Sequence, residues 1–593
     1  MDLKTNRNAL RLLRLVLDHE KAVTPILAAS PQKAPFDSAW PLVQPLPRTS
    51  PEEQGISSER IGTFLQALRQ DDSLDPHSIM ILRNGAVIAE ADFGAYDHRI
   101  WHITHSACKS ITGLAVGMLI GEGRLSLDNK IVDIFEEKVA PLAFVWLKNL
   151  TVRHLLTMSS GVLFSEAGAV TEKDWVKCFL ESMVVFEPGS KFYYNSMNTY
   201  MLSAIVREVS GQGLMAYLDS RLWQPLGITG IFWETCPMGN EKGGWGLYIR
   251  QEDFAKIGQL VLQGGCWNEQ QLIPAEWIAA ATSNQIETPQ TLGNYNYGYQ
   301  TWVGRQRDAF LFNGMFGQNV LGFRDNGLLL AVNSGNDEFF QQSHFFSLAE
   351  EYFPADLGDS EDLNVGQTAG QQLQIIKSWL VQPIQATVNS WLQKMAFESR
   401  VDVKGFFAAL DGTVLLPEPA DGSAIGILPL LTQLVQNNFT RGLKSLAFRT
   451  VAGELQLTVN ETDESHHLPI GFDQPLLTDL VSHGETYRVA ASGQLTTDED
   501  DNPVLKIRIS FLEIANARLI KLRFCNSGVV VDWQESPGKP FFEHALALVK
   551  DETKTHPIAK ALLDKADNDY TRFRINRCID STINFKVFGD IQP

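Results

Sequence analysis

From Ser106 the apolar residues Ile111, Leu114, Ala115, Met118 and Leu119 recur at helical spacing until Gly121 and Gly123 end the run. A helix of about four turns follows, apolar enough that the rest of the fold must enclose it. Its neighbours in sequence set the surroundings. Upstream, Ser78 to Glu90 reads as two apolar runs around Asn84-Gly85, a strong short-range signal for a two-stranded hairpin. Downstream, the spacing predicts helices over Val152 to Met158, Thr199 to Val209, Glu252 to Leu262 and Pro274 to Ala281, and paired strands over Val320 to Arg324 and Gly327 to Asn333. This first unit is mixed α and β.

A stretch rich in acid and glycine, Pro354 to Gln371, breaks the pattern and reads as a linker. One or two helices are expected over Gln372 to Ala396. The remainder alternates like strands at Leu446 to Thr462, Tyr487 to Leu495, Val504 to Leu512 and Ala517 to Trp533, a mostly antiparallel β unit. The 593 residues are therefore divided into an N-terminal helix and Pro-rich linker (1–50), a first folded unit (51–354), a linker (355–371) and a C-terminal β-rich unit (372–593). The Pro-rich passage Pro25 to Pro51 is expected to wrap the body.

Fifty basic and 69 acidic residues leave a formal charge of −19, which disfavours nucleic acid and anionic membrane as partners. The apolar residues between Leu10 and Leu17 are interrupted by Arg11 and Arg14, giving an amphipathic helix over Met1 to Ala22 rather than a signal peptide, and no window of 18 uninterrupted apolar residues occurs. Six cysteines lie scattered without a CxxC pair, so neither a zinc ribbon nor a disulfide framework is expected, and from the amphipathic N-terminal helix the chain is read as cytoplasmic. His466 and His467 are adjacent and face opposite sides of a strand. Asp498 to Asn502 resembles a calcium loop, but Pro503 and Ile509 stand where glycine and glutamate are needed. No metal and no cofactor are expected.

The chain has no G-x-S-x-G elbow, no H-E-x-x-H helix and no P-loop. What remains is Ser106-Ala-Cys-Lys109 at the start of the buried helix, where a spacing of three puts the hydroxyl and the amine on one face. An amine kept out of water can act as the base that strips a hydroxyl, and the helix N-terminus favours the negative charge that develops. A capping serine beside a surface lysine would leave the same trace. Cys108 is read as a small apolar residue.

The run His105 to Asp128 resembles the serine β-lactamase and penicillin-binding-protein-like hydrolase superfamily. The likeness continues in Thr151 to Gly161, Pro188-Gly-Ser-Lys-Phe-Tyr-Tyr-Asn-Ser196, Gly243 to Tyr248, Asp253 to Gly258 and Tyr297 to Trp302, and covers roughly Ile56 to Phe353. It implies a β-lactamase-like α/β catalytic unit, an antiparallel sheet flanked by helices. In the branch with class C β-lactamases, esterases and 6-aminohexanoate-dimer hydrolases, the second motif supplies a tyrosine that shares protons with the serine and lysine. Tyr194 is the matching residue, with Tyr193 the alternative register. Ser196 stands where class C β-lactamases have asparagine, which resembles the esterase and oligomer-amidase side.

The third motif falls on Gly314-Met-Phe-Gly-Gln318. Met315 occupies the place of a cation, so nothing there would bind the carboxylate of a β-lactam or a peptide C-terminus. Gly317 still lets backbone approach a substrate, and by resemblance the Gln318 and Ser106 amides form the oxyanion hole. The reading is a cofactor-free serine hydrolase of a small-molecule ester or amide, compatible with homo-oligomers. A β-lactamase or D-amino-acid peptidase, and a protein that acylates without turnover, are the alternatives.

Overall fold

The computed structural model describes residues 33–164, 166–169, 172–337, 340–357, 403–418, 425–436, 438–525, 528–540, 543 and 575–588. The helix expected over Met1 to Ala22, the helices over Gln372 to Ala396 and most of the linker lie outside the described residues.

The Asn84-Gly85 turn is present, with φ of 51° and 86° at its two residues, the left-handed pair that a tight hairpin needs. It joins β1 (Pro76–Arg83) to β2 (Ala86–Asp92). The chain then leaves for the helical layer and returns through β3 (Tyr295–Tyr297), β4 (Trp302–Gly304), β5 (Ala309–Gly314), β6 (Gln318–Phe323) and β7 (Leu328–Ser334). The seven strands form one antiparallel sheet in the order β2-β1-β7-β6-β5-β4-β3. The β6–β7 pair anticipated from sequence sits in its centre.

Both faces of this sheet are covered, which explains the near-continuous apolar run of β1. Met80 and Leu82 point to one core with Phe310, Phe312, Val320 and Ala331, whereas Ile79 and Ile81 point to the other with Leu311, Leu321 and Leu330. The second face is covered by α1 (Ser58–Gln70), through Ile61, Phe64, Leu65 and Leu68, together with Phe345, Phe346 and Ala349. The first face carries α2 (Lys109–Gly121), α3 (Ser196–Ser210) and α4 (Gln251–Leu262). Helix α2 is enclosed as expected. A Cβ at Gly117 would lie 2.2 Å from the Trp277 ring, so glycine there is what lets an aromatic pack flat on the helix. Helix α3 begins three residues earlier than the periodicity predicts, because the Asn195 side chain caps it by accepting from Met197 N.

The second sheet has ten antiparallel strands: β8 (Val414–Glu418), β9 (Leu443–Val451), β10 (Glu454–Glu461), β11 (Ser465–Ile470), β12 (Leu476–Ser482), β13 (Glu485–Thr497), β14 (Pro503–Phe511), β15 (Ala517–Cys525), β16 (Gly528–Ser536) and β17 (Asp580–Phe588). Their order is β11-β10-β9-β8-β17-β16-β15-β14-β13-β12. Just past β11, Gly471 exchanges backbone hydrogen bonds with Ala491 and Gly493 of β13, so the sheet curls almost into a barrel. Asp498 accepts from Asn502 in a solvated turn between β13 and β14, and His466 is buried while His467 is exposed.

The two sheets are not separate bodies joined by a string. Trp101, Ile103 and Tyr248, on or beside the short strand pair His102–Ile103 and Leu247–Ile249, share one apolar core with Leu480, Tyr487, Ile509, Leu512 and Ile514 of the second sheet's unit. The Pro-rich passage does more than wrap: Lys33 is buried against Glu513 at 2.8 Å, Trp40 packs on Trp101, and Arg48 pairs with Glu252 at 2.6 Å. Among the described residues no helix is long and apolar enough to cross a membrane.

A buried histidine pair lies where the sheets meet. His77 Nδ1 and His102 Nε2 are 3.2 Å apart, and His77 stacks on Tyr96 with ring centres 3.4 Å apart. Burial pushes His102 down to about 4, and burial together with the His102 and Arg508 charges holds His77 well below the ordinary imidazole value. Both stay neutral in the folded chain, whereas unfolded histidines take up protons below about pH 6.5. Stability is therefore full above about pH 6.5 and falls as the pH drops toward 4. In His102→Asn, melting midpoints measured between pH 7 and 5 are expected to fall less steeply than in wild type; parallel slopes would exclude this pair as the cause.

Candidate active site

The strand His102–Ile103 pairs with Leu247–Ile249, and Thr104 N continues the register by donating to Leu247 O at 2.8 Å. The chain then turns through one 3-10 turn, His105–Cys108, before entering α2. His105 takes a left-handed φ of 45°, uncommon for a residue with a side chain. Ser106 is thereby left half-buried at the mouth of the enclosed helix.

One turn on, Lys109 is buried and its Nζ donates to Ser106 Oγ at 2.8 Å and to Gly244 O at 2.7 Å. The same nitrogen lies 5.1 Å from the centre of the Tyr194 ring. Tyr194 stacks on Trp302, with centres 6.0 Å apart and planes within 14°. The neighbouring Tyr193 turns away: its amide donates to Met158 O and its ring packs on Phe186. Serine, lysine and Tyr194 thus converge on one spot. Asn195 anchors this segment by donating to Val162 O and Phe164 O, and Ser196, the first residue of α3, is buried against Gly244.

The β5–β6 turn closes the other side. A Cβ on Gly314 would lie 2.2 Å from Thr104 O and 3.1 Å from Ala107 N, so the turn's backbone rests directly on the Ser106 turn. Phe316 and Gly317 follow with φ of 66° and 87°, and Gln318 begins β6 opposite Gly314. The Gln318 side chain is spent on the sheet, donating to Ser334 O at 2.6 Å. Met315, where a cation was looked for, packs with Phe316, Ala515 and Leu431.

Burial pushes the Cys108 thiol up to about 12 and its Sγ donates to His105 O, which fits a structural residue rather than a nucleophile. Burial, with the His102 and Lys109 charges, pushes His105 down to about 3, so this histidine is no proton carrier near neutral pH. The residues that sequence reasoning passed over are Gly244, whose carbonyl holds the lysine, Trp302, which carries the tyrosine, and Asn195. Each lies inside a quoted motif, but a backbone acceptor or a stacking partner leaves no spacing signal.

A two-layered helical cover over an antiparallel sheet, with a Ser–Lys pair at the mouth of its buried helix, defines a β-lactamase-like fold. Residues 64–344 match the Beta-lactamase family model, and this part of the chain is a domain of that family. It is 25% identical over 323 residues to the 6-aminohexanoate-dimer hydrolase of Paenarthrobacter ureafaciens, covering 49% of this chain and 80% of that protein. Protein flp of Staphylococcus aureus (strain COL) is 26% identical over 191 residues, 29% of this chain and 38% of its own length. Among solved structures, the octameric penicillin-binding protein homologue from Pyrococcus abyssi is similar with a TM-score of 0.41 and 15% identity, covering 78% of this chain and 97% of that one.

Proposed function

We propose that this protein is a serine hydrolase that cleaves a small ester or amide through an acyl-enzyme on Ser106. The observation that carries the reading is the 2.8 Å hydrogen bond between the buried Lys109 Nζ and Ser106 Oγ, with Tyr194 beside the same nitrogen, which as the neutral amine can take the serine proton. Ser106 Oγ attacks the substrate carbonyl carbon while its proton passes to the Lys109–Tyr194 pair. The oxyanion is held by the Ser106 and Gln318 amides, with Gly317 giving the backbone room. Collapse breaks the bond to the leaving alcohol or amine, which takes up the proton. Water, deprotonated by the same pair, then releases the acid. Ser196 lies beneath the site as a small filler, and Met315 offers apolar surface in place of charge. The 6-aminohexanoate-dimer hydrolase likeness supports an amide or ester over a β-lactam.

We assign residues 51–354 to catalysis and take the substrate to be a small molecule. Six cysteines scattered along the chain without a CxxC pair are in keeping with a cytoplasmic protein. The test is incubation with a short-chain p-nitrophenyl ester and, separately, nitrocefin, followed by absorbance and intact mass. Ester turnover that is abolished in Ser106→Ala, with nitrocefin untouched, is expected; turnover that survives the substitution, or the absence of any adduct on Ser106, overturns the reading.

A further inference from the structure

The β14–β15 hairpin tip, Phe511 to Asn516, belongs to the second sheet, yet its contacts run to the backbone around Ser106. Ile103 N, three residues before the serine, donates to Glu513 O at 2.9 Å. Glu513 Oε1 accepts from Trp101 Nε1 at 2.5 Å on the same strand. Ala515 packs on Phe316 in a small apolar cluster, and the Phe316 ring meets the His105 ring edge-on, with centres 5.5 Å apart and planes at 76°. At the end of β7 the tip sits so close that a Cβ on Gly335 would lie 2.4 Å from Ala515 O.

His105 and Phe316 are the two residues that immediately precede the Ser106 and Gly317 steps, and both hold left-handed φ, 45° and 66°. Such conformations are strained for residues with side chains and persist only where the surroundings over-determine them. Here the two rings lean on each other, His105 Nε2 finds no hydrogen-bond partner among the described residues, and Ala515 closes over Phe316. The support is packing, and its outermost piece comes from the second sheet.

We propose that this hairpin tip is a positioning element of the active site: by seating Ala515 on Phe316 and fixing the strand that ends at Ser106, it holds the two amides of the oxyanion hole in register. The inference rests on the serine-hydrolase reading. It gives the β-rich unit a part in catalysis, one that acts through Phe316 and His105 and never touches substrate.

Gly335→Ala drives a methyl against Ala515 O and so lifts the tip without altering any residue that meets substrate. Ester kcat is expected to fall about tenfold with KM within about twofold, since small displacements of preorganised donors act on the transition state. Phe316→Leu is expected to behave alike, and the double variant to be no worse than either single, because both interrupt the same support. Ala515→Gly, the milder change, serves if Gly335→Ala lowers the melting midpoint by more than a few degrees. An unchanged kcat in Gly335→Ala and Ala515→Gly, additive losses in the double variant, or activity that merely tracks the folded fraction overturns the proposal. Ser106→Ala is measured alongside: activity surviving there removes the hydrolase reading itself, whereas a dead Ser106→Ala beside wild-type-like tip variants removes only this inference.

Discussion

Lys109→Met is expected to lower kcat for a p-nitrophenyl ester by about three orders of magnitude or more, as removal of a member of a nucleophile–base unit does elsewhere. The replacement is unbranched and apolar, so the enclosed helix keeps its packing. What is lost is the 2.8 Å hydrogen bond to Ser106 Oγ and the group that takes up its proton in the proposed reaction. Gly244 O loses its donor at 2.7 Å as well, and a buried acceptor left unpaired costs about 1–3 kcal/mol, so the melting midpoint should drop by several degrees. Lys109→Arg is expected to be nearly as inactive, because a guanidinium does not give up its proton and its planar head does not fit between Ser106 Oγ and Gly244 O. The double variant Ser106→Ala/Lys109→Met should be no slower than either single, since the two act as one unit. Initial rates per folded molecule decide the matter: a loss of less than tenfold in Lys109→Met would move the base to another residue.

The Ser–Lys pair was legible because a spacing of three on a helix is a geometric statement in itself. Tyr194 was not, since it lies far along the chain and only the resemblance singled it out from Tyr193. In the fold the Tyr194 ring lies beside the Lys109 nitrogen, while the Tyr193 amide donates to Met158 O and its ring packs on Phe186. The Met315 departure was equally plain in sequence, but not what replaces the charge: an apolar cluster of Phe316 and Ala515, the latter from the hairpin tip of the second unit, against which Met315 packs.

Periodicity served the sheet centres well and the junction between them badly. Strands β6, β7, β13 and β14 fall close to where alternation put them, because each buries one or both faces. Strands β8 and β17 escaped notice, the last pairing with the first of that sheet across the whole unit. The junction is built from polar residues at element ends, such as Lys33, His77, His102 and Glu513, which carry no periodic signal. Their burial depends on long-range docking, which local patterns do not encode.

Glu513→Ala should destabilise the protein by about 3–5 kcal/mol, the cost of leaving a buried charge without its partner. Glu513 is 1% exposed and its oxygens accept from Lys33 Nζ at 2.8 Å, Trp101 Nε1 at 2.5 Å and Arg488 N at 2.7 Å. Three pieces of chain meet at that carboxylate: the Pro-rich passage, the strand leading to Ser106, and the second sheet. Without it the Lys33 ammonium keeps Thr486 O at 2.7 Å and the faces of Trp101, Tyr248 and Tyr487 at 5.2–5.9 Å, too little for a charge held out of water. The sign of the effect depends on removing one partner alone. In Lys33→Met/Glu513→Leu both charges are gone and apolar atoms fill similar volume, so most of the loss should be recovered, and the double variant could match wild type in stability. Its activity separates the two roles of the residue: if the carboxylate also sets the Ser106 strand through Trp101, the double variant regains its denaturation midpoint while ester kcat stays below wild type. A single variant that unfolds within about 1 kcal/mol of wild type in urea would mean that water reaches this junction and that the pair is worth no more than one on the surface.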